Sequence, residues 1–258
     1  MREKIIFKNS KDQKLVGDLF LPQGKSSNVQ LAIFVHGYRS DKNGSKAKIL
    51  SSALPEKGIG LFVIDLSGRG ESEGNFEDST VTQYIDDLKC AINVIIDMGV
   101  ADPEKLAVIG SSLGGLVVLQ ETAKDERIKG LVCISPTSQA PWKGKEEFAE
   151  QRVKEWKEKG YTFTESKRFG KMRINYSFYE DLLNYRDYSV YESIKIPVLV
   201  LHGTADKSVP VEHSRELIKH IENSKLIEFE GADHNYSKKE DCDKMINETI
   251  KFLEAMAK

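Results

Sequence analysis

Short apolar runs recur along the chain, separated by amphipathic stretches of helical period. Ile5 to Phe7 and Leu15 to Leu21 predict an opening antiparallel pair of strands. Leu31 to Val35, Leu61 to Ile64, Leu106 to Ile109, Leu131 to Ile134, Val198 to Leu201 and Leu226 to Phe229 predict the strands that follow. Helical patterns fill most of the intervals: Lys46 to Glu56, Val81 to Ile96, Leu113 to Lys124, Val211 to Ile221 and Asp241 to Ala255. Near-continuous apolar strands alternating with helices imply a mostly parallel central sheet with helices on both faces, an α/β fold. Ligands on such sheets gather beyond the carboxyl ends of the strands.

One interval breaks the rhythm. About sixty residues lie between the strand ending near Ser135 and the one starting at Val198, where four to six residues is roughly typical. Residues 136–194 hold twelve of the 22 aromatics, among them both tryptophans, Trp142 and Trp156, so this insert has a face of its own to bury. Gly144 to Lys159 predicts a charged helix with Ala149, Val153 and Trp156 on one side, and Tyr161 to Tyr176 a hairpin around Lys167 to Gly170. The expected division is a core of residues 1–135 and 195–258 with an inserted cap (lid) subdomain, 136–194, before the penultimate strand. The insert leaves from a strand's carboxyl end, where lids are placed, and its aromatics would line an acyl or aryl pocket. The blander alternative is a helical decoration whose aromatics pack only on each other.

Beside that exit lies Gly110-Ser111-Ser112-Leu113-Gly114-Gly115, a serine between an apolar strand and an apolar helix. A sharp strand-to-helix turn strains the serine backbone, and only small residues two positions either side let the neighbouring chain pass. Gly110 and Gly114 make Ser112 the candidate nucleophile. Ser111, flanked at that spacing by Ile109 and Leu113, does not fit. A serine hydroxyl needs a histidine to take its proton and a carboxylate to hold that histidine's tautomer. Of five histidines, His234 follows the last strand, in Gly231-Ala232-Asp233-His234. His36 and His202 each end a strand before a glycine and read as scaffold near the site. His213 and His220, seven apart on a helix, read as solvated surface residues. Asp206 lies in the loop after the penultimate strand, giving the chain order Ser112, Asp206, His234. Asp233 competes with it, but sequence adjacency points its side chain away from the ring. The oxyanion donors expected are the backbone N–H groups of Leu113 and of Tyr38, with Gly37 permitting the turn.

These segments, with Asp65-Leu66-Ser67-Gly68-Arg69-Gly70-Glu71-Ser72-Glu73-Gly74, resemble the α/β-hydrolase superfamily over nearly the whole chain. Within it the chain is most similar to the bacterial cinnamoyl (feruloyl) esterases, small serine esterases with an insert of this size before the penultimate strand. The resemblance implies catalytic Ser112, Asp206 and His234, Tyr38 and Leu113 amides as oxyanion donors, and possible homodimers. Ser111 and Leu113 stand where that group typically carries His and Gln.

Composition narrows the partners. Lys+Arg of 38 against Asp+Glu of 40 leaves no surplus to attract phosphate backbones or anionic lipid, so neither nucleic acid nor membrane is expected. Met1 to Lys14 lacks the apolar run of a secretory leader, and Cys90, Cys133 and Cys242 are odd in number without a C-x-x-C pair, which fits a soluble, cytoplasmic protein with packing cysteines. Gly68 to Gly74 lacks the G-x-G-x-x-G spacing of a phosphate cradle and reads as a turn under the active-site rim. No His/Cys cluster has metal-ligand spacing, so neither metal nor cofactor is expected. The expected activity is hydrolysis of small hydrophobic or aryl carboxylic esters through an acyl-enzyme. A monoacylglycerol lipase, thioesterase or serine peptidase would use the same residues, and a non-catalytic binding protein is the remaining alternative.

Overall fold

The computed structural model of the protein describes residues 1–140, 148–166 and 168–256. Trp142, Lys167 and the start of the helix expected from Gly144 lie outside them. Eight strands form one twisted sheet: β1 (Arg2–Lys8), β2 (Lys14–Phe20), β3 (Val29–Val35), β4 (Gly60–Asp65), β5 (Ala101–Ser111), β6 (Gly130–Ile134), β9 (Val198–Gly203) and β10 (Ser224–Phe229), in the order β1-β2-β4-β3-β5-β6-β9-β10. β1 and β2 run antiparallel and β2 joins β4 antiparallel, while every pairing from β4 to β10 is parallel. The two-residue period of a strand sorts its side chains into two cores. Leu31, Ile33 and Val35 of β3 face α2 (Val81–Asp97) and α3 (Leu113–Thr122), and Ala32 and Phe34 face α1 (Ser45–Glu56) and α7 (Lys239–Met256). This is the mostly parallel sheet covered on both faces that the apolar pattern implies.

The differences from expectation are local. The helix expected over Val211 to Ile221 is the shorter α6 (Glu212–Leu217), because its end tightens into i→i+3 turns from Glu216 to Lys219 and Leu217 to His220. His213 is not a solvated residue: it is buried, with its carbonyl accepting from Ser138 Oγ at 3.0 Å and its Nδ1 3.4 Å from the same hydroxyl. The chain leaving β6 runs over α6 at that point. Between β6 and β9 lie α4 (Glu150–Lys159), the hairpin of β7 (Tyr161–Ser166) and β8 (Gly170–Asn175), and α5 (Ser177–Leu182). In α4 only Trp156 is buried; Val153 is half-buried and Ala149 exposed. Trp156 donates Nε1–H to the Ile174 carbonyl at 3.2 Å, tying α4 to the hairpin. No described helix is long and apolar enough to cross a membrane.

The turn after β4 is built around a buried carboxylate. Asp65, fully buried, accepts from the Lys42 amide at 2.7 Å, from Lys42 Nζ at 3.1 Å and from the Glu71 amide at 2.9 Å. Lys42 Nζ also bonds Glu71 and lies 3.9 Å from buried Asp18. A Cβ on Gly70 would stand 2.0 Å from the Asp65 carboxylate, so a glycine there lets the turn wrap that charge. Lys42→Met leaves Asp65 buried without its ammonium, while Asp18 keeps Arg2 at 2.9 Å, and is expected to cost about 3–5 kcal/mol, read from urea unfolding. In α3, burial and then Asp125 push the Glu121 carboxyl up to about 7. A carboxyl that binds its proton more tightly when folded loses the chain stability as pH rises from its ordinary value of 4.5 to about 7, with no further loss above. Glu121→Gln should therefore flatten the fall in urea midpoint between about pH 5 and about pH 8.

Candidate active site

β5 ends at Ser111 and α3 begins at Leu113, leaving Ser112 alone at the apex with φ 57 and ψ −122. That left-handed backbone is costly for a non-glycine residue and persists only where its surroundings over-determine it. They do. The Ser112 amide donates to the Ile134 carbonyl at 3.1 Å, and its carbonyl accepts from Gly115 at 2.8 Å and Thr137 at 3.0 Å. A Cβ on Gly110 would lie 2.3 Å from the Gly114 carbonyl oxygen, and one on Gly114 would lie 2.3 Å from the Val35 carbonyl oxygen. Gly115 is equally confined, 2.5 Å from Pro136. The two glycines that singled out Ser112 in the sequence are thus the points where β5, α3 and β3 pass in backbone contact.

After β3, His36 shapes the neighbouring loop. Its Nε2 accepts the Leu66 amide at 3.2 Å, so Nδ1 carries the proton and donates to the Gly37 carbonyl at 2.9 Å. Burial, the largest influence, lowers its basicity and favours this neutral ring. Gly37 brings the loop close to the elbow: a Cβ there would sit 3.1 Å from that of Ser112. The Tyr38 ring stacks on Phe178 at 4.8 Å.

The loops after β9 and β10 are bonded to each other. Thr204 and Ala205 amides donate to Phe229 and Ala232 carbonyls at 3.0 Å each, and the Gly231 amide donates to Thr204 Oγ1 at 2.8 Å. This union places Asp206 against His234, with Oδ2 2.6 Å from Nδ1. Oδ1 meanwhile accepts the Ser208 and Val209 amides at 2.8 and 2.9 Å. Burial by itself raises the Asp206 carboxyl, but hydrogen bonds from His202 and His234 outweigh it and hold the group well below the usual carboxylate range. The rival acid is engaged elsewhere: Asp233 accepts from the Asn235 and Ser237 amides at 3.2 and 2.9 Å and from Ser237 Oγ at 2.7 Å.

Ser112, Leu113, Tyr38 and His234 all line one cavity of about 780 Å³. Residues of the insert form its other wall, with Phe148, Trp156, Phe163, Phe178 and Leu182 among them. Lys46 of α1 lies in the wall beside His234 and donates Nζ–H to the His234 carbonyl at 3.0 Å. Burial lowers this ammonium to about 8, against opposing pulls from Asp206 and Asp233. Sequence reasoning passed over Lys46, and no local signal marks it, since its contact spans 188 residues. It read His202 as scaffold near the site, and His202 Nε2 stands 3.3 Å from Asp206 Oδ2. No described cluster of three or more His, Cys, Asp or Glu could hold a metal ion.

The fold is that of the α/β-hydrolase superfamily, and the family and relatives that the sequence matches make the chain a hydrolase enzyme. The profile of the prolyl oligopeptidase family matches residues 46–258, and the chain belongs to that family. It is 27% identical over 229 residues to the human mitochondrial palmitoyl-protein thioesterase ABHD10, covering 87% of this chain and 72% of that one. It is 30% identical over 220 residues to the uncharacterized protein YfhR of Salmonella typhimurium, covering 83% of this chain and 68% of that one. Among solved structures, Est1E of Butyrivibrio proteoclasticus with ferulic acid bound superposes with a TM-score of 0.81 at 22% identity, over 98% of this chain and all of that one.

Gly114→Ala forces a Cβ into the Val35 carbonyl and cannot be absorbed by a flexible side chain. It is expected to lower the thermal midpoint by several degrees, the equivalent of about 1–3 kcal/mol, where Ala123→Gly at the end of α3 moves it far less.

Proposed function

We propose that the protein is a serine hydrolase of carboxylic esters, acting through an acyl-enzyme on small hydrophobic or aryl acyl groups. The observation that carries this is the 2.6 Å bond between Asp206 and His234 on the wall of the cavity that Ser112 also lines. With Nδ1 donating to the carboxylate, Nε2 is the ring nitrogen left to accept a proton. His234 takes the Ser112 hydroxyl proton as Oγ bonds to the ester carbonyl carbon, and Asp206 stabilises the imidazolium that forms. Tyr38 and Leu113 amides hold the oxyanion, each worth on the order of 3 kcal/mol in the transition state. The tetrahedral intermediate collapses, the carbon–oxygen bond to the alcohol breaks, and His234 gives the alcohol its proton. Water then bonds to the acyl carbon as His234 takes its proton, the bond to Ser112 Oγ breaks, and His234 returns the proton to Oγ as the acid leaves.

Residues 136–194 serve as the cap, and Phe148, Trp156, Phe163, Phe178 and Leu182 supply the apolar wall for the acyl group. Thioesters are a second substrate class, favoured by the likeness to a palmitoyl-protein thioesterase. They need the same nucleophile and a thiol leaving group that departs more easily.

A fluorophosphonate probe should label the wild-type chain and not Ser112→Ala, while an unlabelled, folded wild type overturns the proposal. Asp206→Asn should lower kcat by roughly a thousand-fold or more. Across matched aryl esters, acyl thioesters and peptide anilides, kcat/KM should be highest for esters; a preference for anilides would replace the esterase assignment with a peptidase.

A further inference from the structure

One buried histidine touches the acid of the site and is used by none of the steps above. His202, at the end of β9, is fully buried, as is Ser214 of α6. Its Nε2 lies 2.9 Å from the Val209 carbonyl, which can only accept, so Nε2 carries a proton. Its Nδ1 is 2.6 Å from Ser214 Oγ, and in the neutral ring that nitrogen accepts the hydroxyl proton. The Nε2–H so fixed is shared: the Val209 carbonyl is the nearer acceptor, and Asp206 Oδ2, which receives His234 Nδ1–H at 2.6 Å, lies 3.3 Å from Nε2 as the longer second one. Asp206 therefore has its two oxygens assigned: Oδ1 to the Ser208 and Val209 amides, Oδ2 to two imidazoles.

We propose that His202, with its ring set by Ser214, is a positioning residue that holds the Asp206 carboxylate on His234 Nδ1. The proposal rests on Ser112, Asp206 and His234 acting as a triad. Without His202, Oδ2 leaves His234 part of the time, the imidazolium loses its partner, and both proton uptake and turnover weaken. Other titratable groups near the pair come from several elements. Lys46 of α1 bonds the His234 carbonyl, Asp233 and Tyr236 lie on the His234 loop, and Glu228 of β10, beside His202 in register, is held by Arg215 of α6 at 2.7 Å. None of these donates to Oδ2.

The test uses an aryl ester turned over by the wild-type chain. His202→Phe keeps a ring and removes the donor; His202→Gln keeps an N–H at the position of Nε2. Expected for His202→Phe is a fall in kcat of roughly 10- to 100-fold with KM little changed, and an acid limb of kcat/KM moved to lower pH, with both restored by His202→Gln. A folded His202→Phe with unchanged kcat and acid limb overturns the inference, as does a limb moved to higher pH, which would mean that the N–H only drains charge from the carboxylate. If His202→Phe does not fold, nitrogen-15 NMR of the wild-type histidines decides. The Nε2–H tautomer at His202, with its proton resonance moved in Asp206→Asn, supports the proposal, and the Nδ1–H tautomer sinks it. A wild-type chain that neither hydrolyses esters nor takes the fluorophosphonate fails the triad instead, and so the two failures are distinct.

Discussion

The site depends on three backbones crossing with no room for side chains between them. Gly110 meets Gly114 and Gly114 meets the Val35 carbonyl, each at a distance no Cβ could occupy, and this contact lets β5 turn into α3 within a single residue. Ser112 then has no freedom to relax its positive φ, because its carbonyl is already shared between Gly115 and Thr137 and its amide is bonded to Ile134. The strain is local and its compensation is distributed over β3, β6 and the chain leaving β6. The same crowding sets the loop after β3 beside the serine, where a Cβ on Gly37 would touch that of Ser112.

Across the cavity the constraint is electrostatic. A carboxylate buried as deeply as Asp206 would ordinarily prefer to be protonated, and a protonated acid would be a poor partner for an imidazolium. Four N–H groups reverse that preference: two amides from its own turn and two rings. The turn-forming role and the acid role therefore do not compete for Asp206, since each uses a different oxygen. Depressed below the unfolded value of 3.8, its ionised form adds stability at neutral pH that is lost as pH falls through the folded value.

Much of this was legible in the sequence, for identifiable reasons. Strand positions were readable because β3, β4, β6 and β9 are buried on both faces and so appear as near-continuous apolar runs, as does the second half of β5, whose first half, Asp102 to Lys105, is polar and was missed. The elbow was readable because its geometry needs glycine at two fixed offsets, and His234 and Asp206 because each lies in a short loop directly after a strand. What was not legible depends on contacts between distant segments. His213 sits on an amphipathic helix of polar appearance, and its burial includes contact with Ser138 of the chain leaving β6, a segment distant in sequence. Lys46 looks like any first-turn lysine until α1 and the His234 loop are brought together. His202 was correctly seen as close to the site, but period and spacing hold no record of which of its nitrogens meets Asp206.

The insert was legible as aromatic and as out of rhythm, and its packing limits how it can act. Ile174, Phe178, Leu182 and Tyr191 belong to the same apolar core as α2 and α3, so the described part of the insert shares its interior with the core. Polar contacts reinforce this: Tyr191 donates to the Ser138 carbonyl at 2.7 Å and accepts from Gln120 of α3 at 3.1 Å, and Tyr185 meets Thr82 of α2 at 2.6 Å. Swinging the whole insert away would expose those rings and leave buried hydroxyls without partners, at about 1–3 kcal/mol for each such group. The hairpin is more exposed, with Phe163 of the cavity wall 49% exposed, yet it too is tied down: Arg39 donates to the Glu165 carbonyl at 2.8 Å, Arg168 meets Asp41 at 2.6 Å and Asn175 donates to Asp78 at 2.8 Å. Among the described residues both parts of the insert are therefore joined to the core, by buried rings at α5 and the segment after it and by polar bonds at the hairpin.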